Sequence, residues 1–198
     1  MEHRASEQNN VANDRTNFAQ DFFTEIEPIA LIDPLASTLG VVAEGDLIFY
    51  YYRETVKFAE RLCLAVSGAF MMTKIALKNL YKSKIPERGE IKVKFKGLGG
   101  KFSRYQLLSF DDNTAPEKGV TAEAEFERID TGKRITISYR PNLIPKDPTM
   151  GKLMESVLNG KRTREEKLRF GNLRRNGMKR VLTDLPEGVF KLTETGGN

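Results

Sequence analysis

Apolar residues recur along residues 64–82 with the period of a helix. Val66, Phe70, Thr73, Leu77 and Leu80 share one face, and Ala65, Ala69, Met72 and Ala76 widen it. Only Lys74, Lys78 and Lys82 form a polar stripe, so this helix is expected to be buried on most sides, against a sheet. Upstream, Thr55, Val56, Ala59 and Leu62 predict a shorter helix from Arg53 to near Cys63. Asp33-Pro34 reads as a helix start, with Asp as N-cap and Pro in the first turn, and Gly40 ends that helix. Residues 26–32 and 47–52 read as extended segments around it.

Downstream the period changes to two. Ile91, Val93 and Phe95 alternate with Lys92, Lys94 and Lys96, the pattern of a strand with one dry face. Residues 105–110 and 120–129 are further strand candidates. A turn at Asp130-Thr-Gly-Lys133 then returns Ile135, Ile137 and Tyr139 antiparallel. Pro141, Pro145 and Pro148 make a rigid connector to two helices, 150–158 and 164–182. The second helix opens with the capping box Thr163-Arg-Glu-Glu166. Its narrow apolar stripe, Leu168, Leu173, Met178, Val181 and Leu182, is expected to pack on a partner surface such as a second copy of the chain. The order of elements predicts the α+β class: an antiparallel sheet packed on a long buried helix, with helices toward the C-terminus. Residues 1–17 read as a disordered leader, 18–148 as the α+β domain, 149–183 as a helical extension and 184–198 as a loose tail.

Composition narrows the classes. The chain has 198 residues, 39% hydrophobic and 30% charged, and no apolar run long enough to cross a bilayer. No membrane contact is expected, and one cysteine excludes an internal disulfide and fits a cytoplasmic location. The net charge of +5 is concentrated. Residues 161–180 hold nine Lys or Arg against two Glu, a net +7. Arg164, Lys167, Arg174, Arg175 and Lys179 are therefore candidates for binding an anion or an acidic partner. Nucleic acid is the weaker expectation, because Phe170 is the only aromatic interleaved with them. Gly97-Leu-Gly-Gly100-Lys101 lacks the spacing of a phosphate loop and reads as a glycine turn.

Candidate chemistry centres on Cys63, where the shorter helix gives way to the long one. A thiol at a helix N-terminus faces unpaired N–H groups and the positive end of the peptide dipoles, which favours a thiolate, a metal ligand or a nucleophile. The bland alternative is a small buried hydrophobe. Arg61, two residues earlier, would promote a thiolate or an anion pocket, or simply pair with Glu60, Glu54 or Glu25. The one histidine is His3, so no Ser-His-Asp or Cys-His arrangement is open to the long helix. Whether the chain is an enzyme is left open.

Several segments taken in order carry a resemblance. They are Ile32-Asp-Pro-Leu-Ala36, Val56-Lys-Phe-Ala59, Leu62-Cys63 with Ala65-Val-Ser-Gly-Ala69, and Arg88-Gly-Glu-Ile-Lys-Val93. Phe95-Lys-Gly-Leu-Gly-Gly100, Asp130-Thr-Gly-Lys133, Pro145-Lys-Asp-Pro-Thr-Met150 and Phe170-Gly-Asn-Leu173 complete the series. Together, from about residue 22 to residue 183, they resemble the formylmethanofuran dehydrogenase FmdE family. The resemblance implies an α+β fold, a homodimer, and an accessory or binding role around one-carbon or molybdenum/tungsten enzyme systems, with an enzyme complex as partner. It also implies a metal site, zinc by expectation, built on a Gly-His-x-Cys-Pro motif at the mouth of the long helix. Here that motif falls on Glu60-Arg-Leu-Cys-Leu64, and only the cysteine matches. Arg61 stands where the family has its histidine, and a guanidinium cannot ligate a metal. Cys63 is then the metal candidate, with Glu60, Arg61 and Asp33 as its expected neighbours. The strand at Glu90-Ile-Lys-Val93 also runs directly into Phe95-Lys-Gly-Leu, where the family has intervening residues. The site is expected to be degenerate.

Overall fold

The structure, a computed structural model, describes residues 21–60, 62–96, 108–111, 118–160 and 163–195. His3, Arg61, the Gly97–Lys101 segment and residues 105–107, where a strand start was expected, lie outside the described residues. A short 3₁₀ helix at Asp21–Glu25 leads into β1 (Ile29–Ile32), α1 (Pro34–Thr38) and β2 (Leu47–Tyr50). Next come α2 (Tyr52–Ala59) and the long α3 (Leu64–Tyr81). The remaining order is β3 (Ile91–Lys96), β4 (Leu108–Asp111), β5 (Ala122–Arg128), β6 (Arg134–Tyr139), α4 (Met150–Leu158), α5 (Arg164–Leu182) and β7 (Phe190–Thr195).

The fold is α+β. β1 and β2 form an antiparallel pair, and the main sheet has the order β4-β3-β5-β6-β7. Its β3-β5-β6-β7 portion is antiparallel, as the alternation predicts, whereas β4 lies parallel to β3. A strand of four residues carries too short a pattern to announce its direction. On the inner face, Ile135 pairs with Phe126 and Ile137 with Ala124, and all four are almost completely buried. Met72, Ala76, Leu77 and Leu80 of α3 close the core over them. A second cluster on the other flank of α3 joins Phe22, Phe23, Tyr52, Val56 and Phe70.

α5 packs on α3 of its own chain, with Val181 in the sheet-side core and Leu182 in the second cluster, and Leu168 of the same stripe stays exposed. One C-terminal expectation is corrected. The expected loose tail contains β7, which pairs with β6 along its whole length, from Tyr139–Phe190 to Arg134–Thr195. Fully buried Val189 anchors it, and its alternating Phe190 and Leu192 pack against the core. Without β7 the N–H and C=O groups on one edge of β6 would be left unpaired, which explains why this short segment is recruited. Upstream, the extended segment 47–52 ends at Tyr50. Tyr52 is instead the first residue of α2 and is fully buried.

Candidate functional site

The mouth of α3 is a sharp corner. α2 ends at Glu60, whose backbone is left-handed (φ 53°, ψ 19°) and whose N–H donates to Lys57 O at 3.2 Å. Cys63 then occupies the N-cap of α3 in an extended conformation, and its side chain caps nothing. The thiol is half-buried. Its carbonyl accepts from the Ser67 N–H at 3.1 Å and from Ser67 Oγ at 3.2 Å.

Two tyrosines close the corner. Ser67 Oγ and Tyr52 Oη are 2.7 Å apart. Because Ser67 donates its hydrogen to the Cys63 carbonyl, Tyr52 is the donor of that pair. Tyr139 Oη donates to Leu64 O at 3.0 Å. The Tyr139 ring lies directly on Gly68 of α3, leaving no room for a Cβ there, and stacks on Phe190 with centroids 4.9 Å apart. Burial pushes the Tyr52 hydroxyl up to about 12; the Ser67 hydrogen bond opposes this and the nearby Cys63 adds to it. Burial also pushes Tyr139 up, with Cys63 and then Tyr52 adding to it. Both phenols therefore stay protonated near neutrality and act as fixed donors, not as bases or phenolate ligands.

Positive charge arrives from the C-terminal part of the chain. Arg174 of α5 donates from Nη2 to Leu62 O at 2.9 Å, with its guanidinium 5.5 Å from the Phe170 ring centroid. This cation sits one residue from Cys63 in the chain it contacts. A zinc centre needs three or four N, S or O ligands converging on one point. Among the described residues, no three His, Cys, Asp or Glu side chains do so. Among the described residues, the donors at the mouth of α3 do not make up such a set.

The expected neighbours of Cys63 do not all gather around it, and Arg61 lies outside the described residues. Glu60 is exposed. Asp33 is buried, but at the far end of α3. Its Oδ1 caps α1 through the Ala36 N–H at 3.1 Å, and its Oδ2 accepts from Arg88 at 2.6 Å. Ile32 beside it is bonded to Pro86 and Arg88, which follow the C-terminus of α3. A helix of 18 residues is about 27 Å long, so Asp33 is separated from Cys63 by nearly the length of α3. Expecting them together was an error of tertiary placement, because both lie beside a helix start in sequence.

The α5 cations divide into two groups. Arg164 and Lys167 are exposed on its first turns. Arg174 reaches the mouth of α3, half-buried Arg175 has a buried Nε, and Lys179 pairs with Glu25 at 3.3 Å beneath the Phe22 ring. Arg169 and Arg180 bind Thr149 Oγ1 and Pro145 O. Much of this basic face therefore docks the helix on its own chain. Tyr52, Ser67, Gly68 and Tyr139 were not anticipated. The available signal was the run of small residues Ala65 to Ala69, centred on Ser67-Gly68, in a helix whose later turns are large, which marks a close approach.

Comparison of the chain with protein-family models, with curated proteins and with solved structures finds no match. Among the described residues, no helix is long and apolar enough to cross a membrane.

Proposed function

We propose that the chain is an accessory or binding protein of the formylmethanofuran dehydrogenase FmdE type, associated with one-carbon or molybdenum/tungsten enzyme systems. In this reading its ancestral metal position has become a structural joint. The association rests on the resemblance of the ordered segments, and one observation supports the loss of the metal position. Where the family motif falls, Cys63 is the one residue that matches a family ligand, and beside it Arg174, Tyr52 and Tyr139 hydrogen-bond to Leu62 O, Ser67 and Leu64 O. Burying a cation beside a guanidinium is opposed by charge repulsion, and two protonated phenols offer no compensating ligand. Homodimerisation belongs to the same reading. The exposed side chains of Leu35, Leu39 and Val41 around α1 form the apolar surface that favours it.

The test is metal content of the untagged protein and of Cys63→Ser and Arg61→His. The expected result is far less than one zinc per chain in the parent, with no change in Cys63→Ser. Stoichiometric zinc in the parent that disappears in Cys63→Ser would overturn the structural-joint reading and restore the family's metal site. The association is checked by crosslinking and mass spectrometry in cells that express the chain naturally. Crosslinks to a molybdenum or tungsten enzyme support it, and a chain crosslinked only to itself counts against it.

A further inference from the structure

The lysine stripe of α3 serves neither the core nor the Cys63 corner. At the C-terminal half of α3, a groove of about 290 Å³ opens between the helix and β1. Ile29, Leu77 and Pro86 give it an apolar floor, and Lys78, Lys82 and Lys84 stand exposed on its rim. Lys74 closes one end, donating to Glu27 O and pairing with the Glu27 carboxylate, each at 2.9 Å. Glu27 illustrates how this rim treats a carboxylate. Its hydrogen bond and ion pair with Lys74 hold it below the ordinary range, and Lys78 adds to this.

The backbone of β1 is open on the same side. Ile32 turns its N–H and C=O away from β2, donating to Pro86 O at 3.0 Å and accepting from the Arg88 N–H at 2.8 Å. Alternation along an antiparallel strand points the N–H and C=O of Ala30 the same way, into the groove. The ladder cannot extend back to Ala30, because Pro86, the residue that would donate to the Ala30 carbonyl, has no N–H. Pro28, likewise without an N–H, flanks the other side.

Lys82 is held at a conformational cost. Its backbone has φ 54° and ψ −104°, a combination strained for a side-chain-bearing residue and easy for glycine, the usual occupant of a helix C-terminus. Lysine at this position presents a cation to the groove.

We propose that this groove binds an extended acidic peptide segment of a partner protein, with its backbone completing the ladder at Ala30 and its carboxylates meeting Lys78, Lys82 and Lys84. The occupant's chemistry follows from what the groove lacks. Ala30 requires an acceptor and a donor on one edge, which a peptide backbone supplies and a phosphate does not. Lys82 and Lys84, without a carboxylate partner among the described residues, and Lys78, which shares Glu27 with Lys74, favour negative side chains. This surface is at the opposite end of α3 from Cys63 and does not depend on the metal reading.

Fluorescence anisotropy with a fluorescein-labelled peptide of alternating Glu and Val tests this at low salt. The parent is expected to bind it and to ignore the same peptide with Gln in place of Glu. Lys78→Gln and Lys84→Gln should each weaken binding about two- to fivefold, the range of a solvent-exposed ion pair. Lys82→Gly should weaken binding similarly while raising the melting temperature, so that loss of affinity is not loss of fold. Hydrogen exchange at the Ala30 amide should slow on binding. Unchanged affinity in the combined Lys78→Glu, Lys82→Glu and Lys84→Glu variant would overturn the proposal. So would unchanged exchange at Ala30, or tighter binding of single-stranded RNA at the same lysines.

Discussion

Gly68 and Gly171 are both helical glycines, yet the same substitution should have opposite effects at the two positions. In open helix, replacing Gly by Ala gains about 0.5–1 kcal/mol by reducing the freedom of the unfolded chain and improving propensity. Gly171 is exposed on α5, with open space where a Cβ would stand, so Gly171→Ala is expected to stabilise by that amount. A Cβ at Gly68 would overlap the Tyr139 ring, so Gly68→Ala is expected to destabilise by about 1–3 kcal/mol, the range for overpacking. Urea denaturation of the two variants checks both signs. Asp33 sets a pH dependence at the same scale. The Arg88 hydrogen bond, followed by the Ala36 N–H, holds its carboxyl below the ordinary range. A depressed folded value means its contribution is present above the unfolded value, about pH 3.9, and is lost as pH falls through the lower folded one. Acid melts should show this fall, and Asp33→Asn should flatten part of it.

At the scale of elements, the ends of helices were the most legible features. Asp33 caps α1 with Pro34 in its first turn, and Thr163 and Glu166 bond reciprocally at the start of α5, with Thr163 N–H to Glu166 Oε2 at 2.8 Å and Glu166 N–H to Thr163 Oγ1 at 3.1 Å. Such caps need only residues three apart, so local sequence suffices. Thr163→Ala is expected to cost about 1 kcal/mol in chemical denaturation. β7 was illegible because its stability comes from β6, about fifty residues earlier in the chain, and its own alternation is brief. Truncation after Leu185 removes buried Val189 together with Phe190 and Leu192. It should lower stability by at least about 3 kcal/mol, since even one large buried side chain is worth that much. Full stability in the truncated chain would mean that the strand does not contribute to the core.

For the whole molecule, α5 links the two hydrophobic clusters while its cations reach across to α3, the 3₁₀ helix and the proline connector. That use reduces the charge available to an external polyanion. Of the five candidate cations, Arg164 and Lys167 remain exposed. Any binding of single-stranded RNA through these five should therefore show a shallow salt dependence, with a log–log slope of roughly −1 to −2. A slope near −3.5, about −0.7 for each of the five, would mean that Arg174, Arg175 and Lys179 also turn to the nucleic acid. The opposite ends of α3 are likewise a whole-molecule property. One end has Cys63 under two tyrosines; the other has Asp33, Arg88 and the lysine groove.

The amino-acid sequence by itself determined the α+β class, the long helix, the alternating strands and the caps, because each depends on residues within a turn or two of one another. It also identified Cys63 as the sole cysteine at a helix mouth, without identifying its neighbours. Tertiary structure alone decided that Arg174 meets Leu62 across 112 residues, that Tyr139 meets Leu64 across 75, and that Asp33 is remote from Cys63. It also decided that β4 runs parallel and that the tail supplies an edge strand. Those outcomes depend on which buried surfaces and open backbone edges meet when the chain collapses, and no local period encodes them.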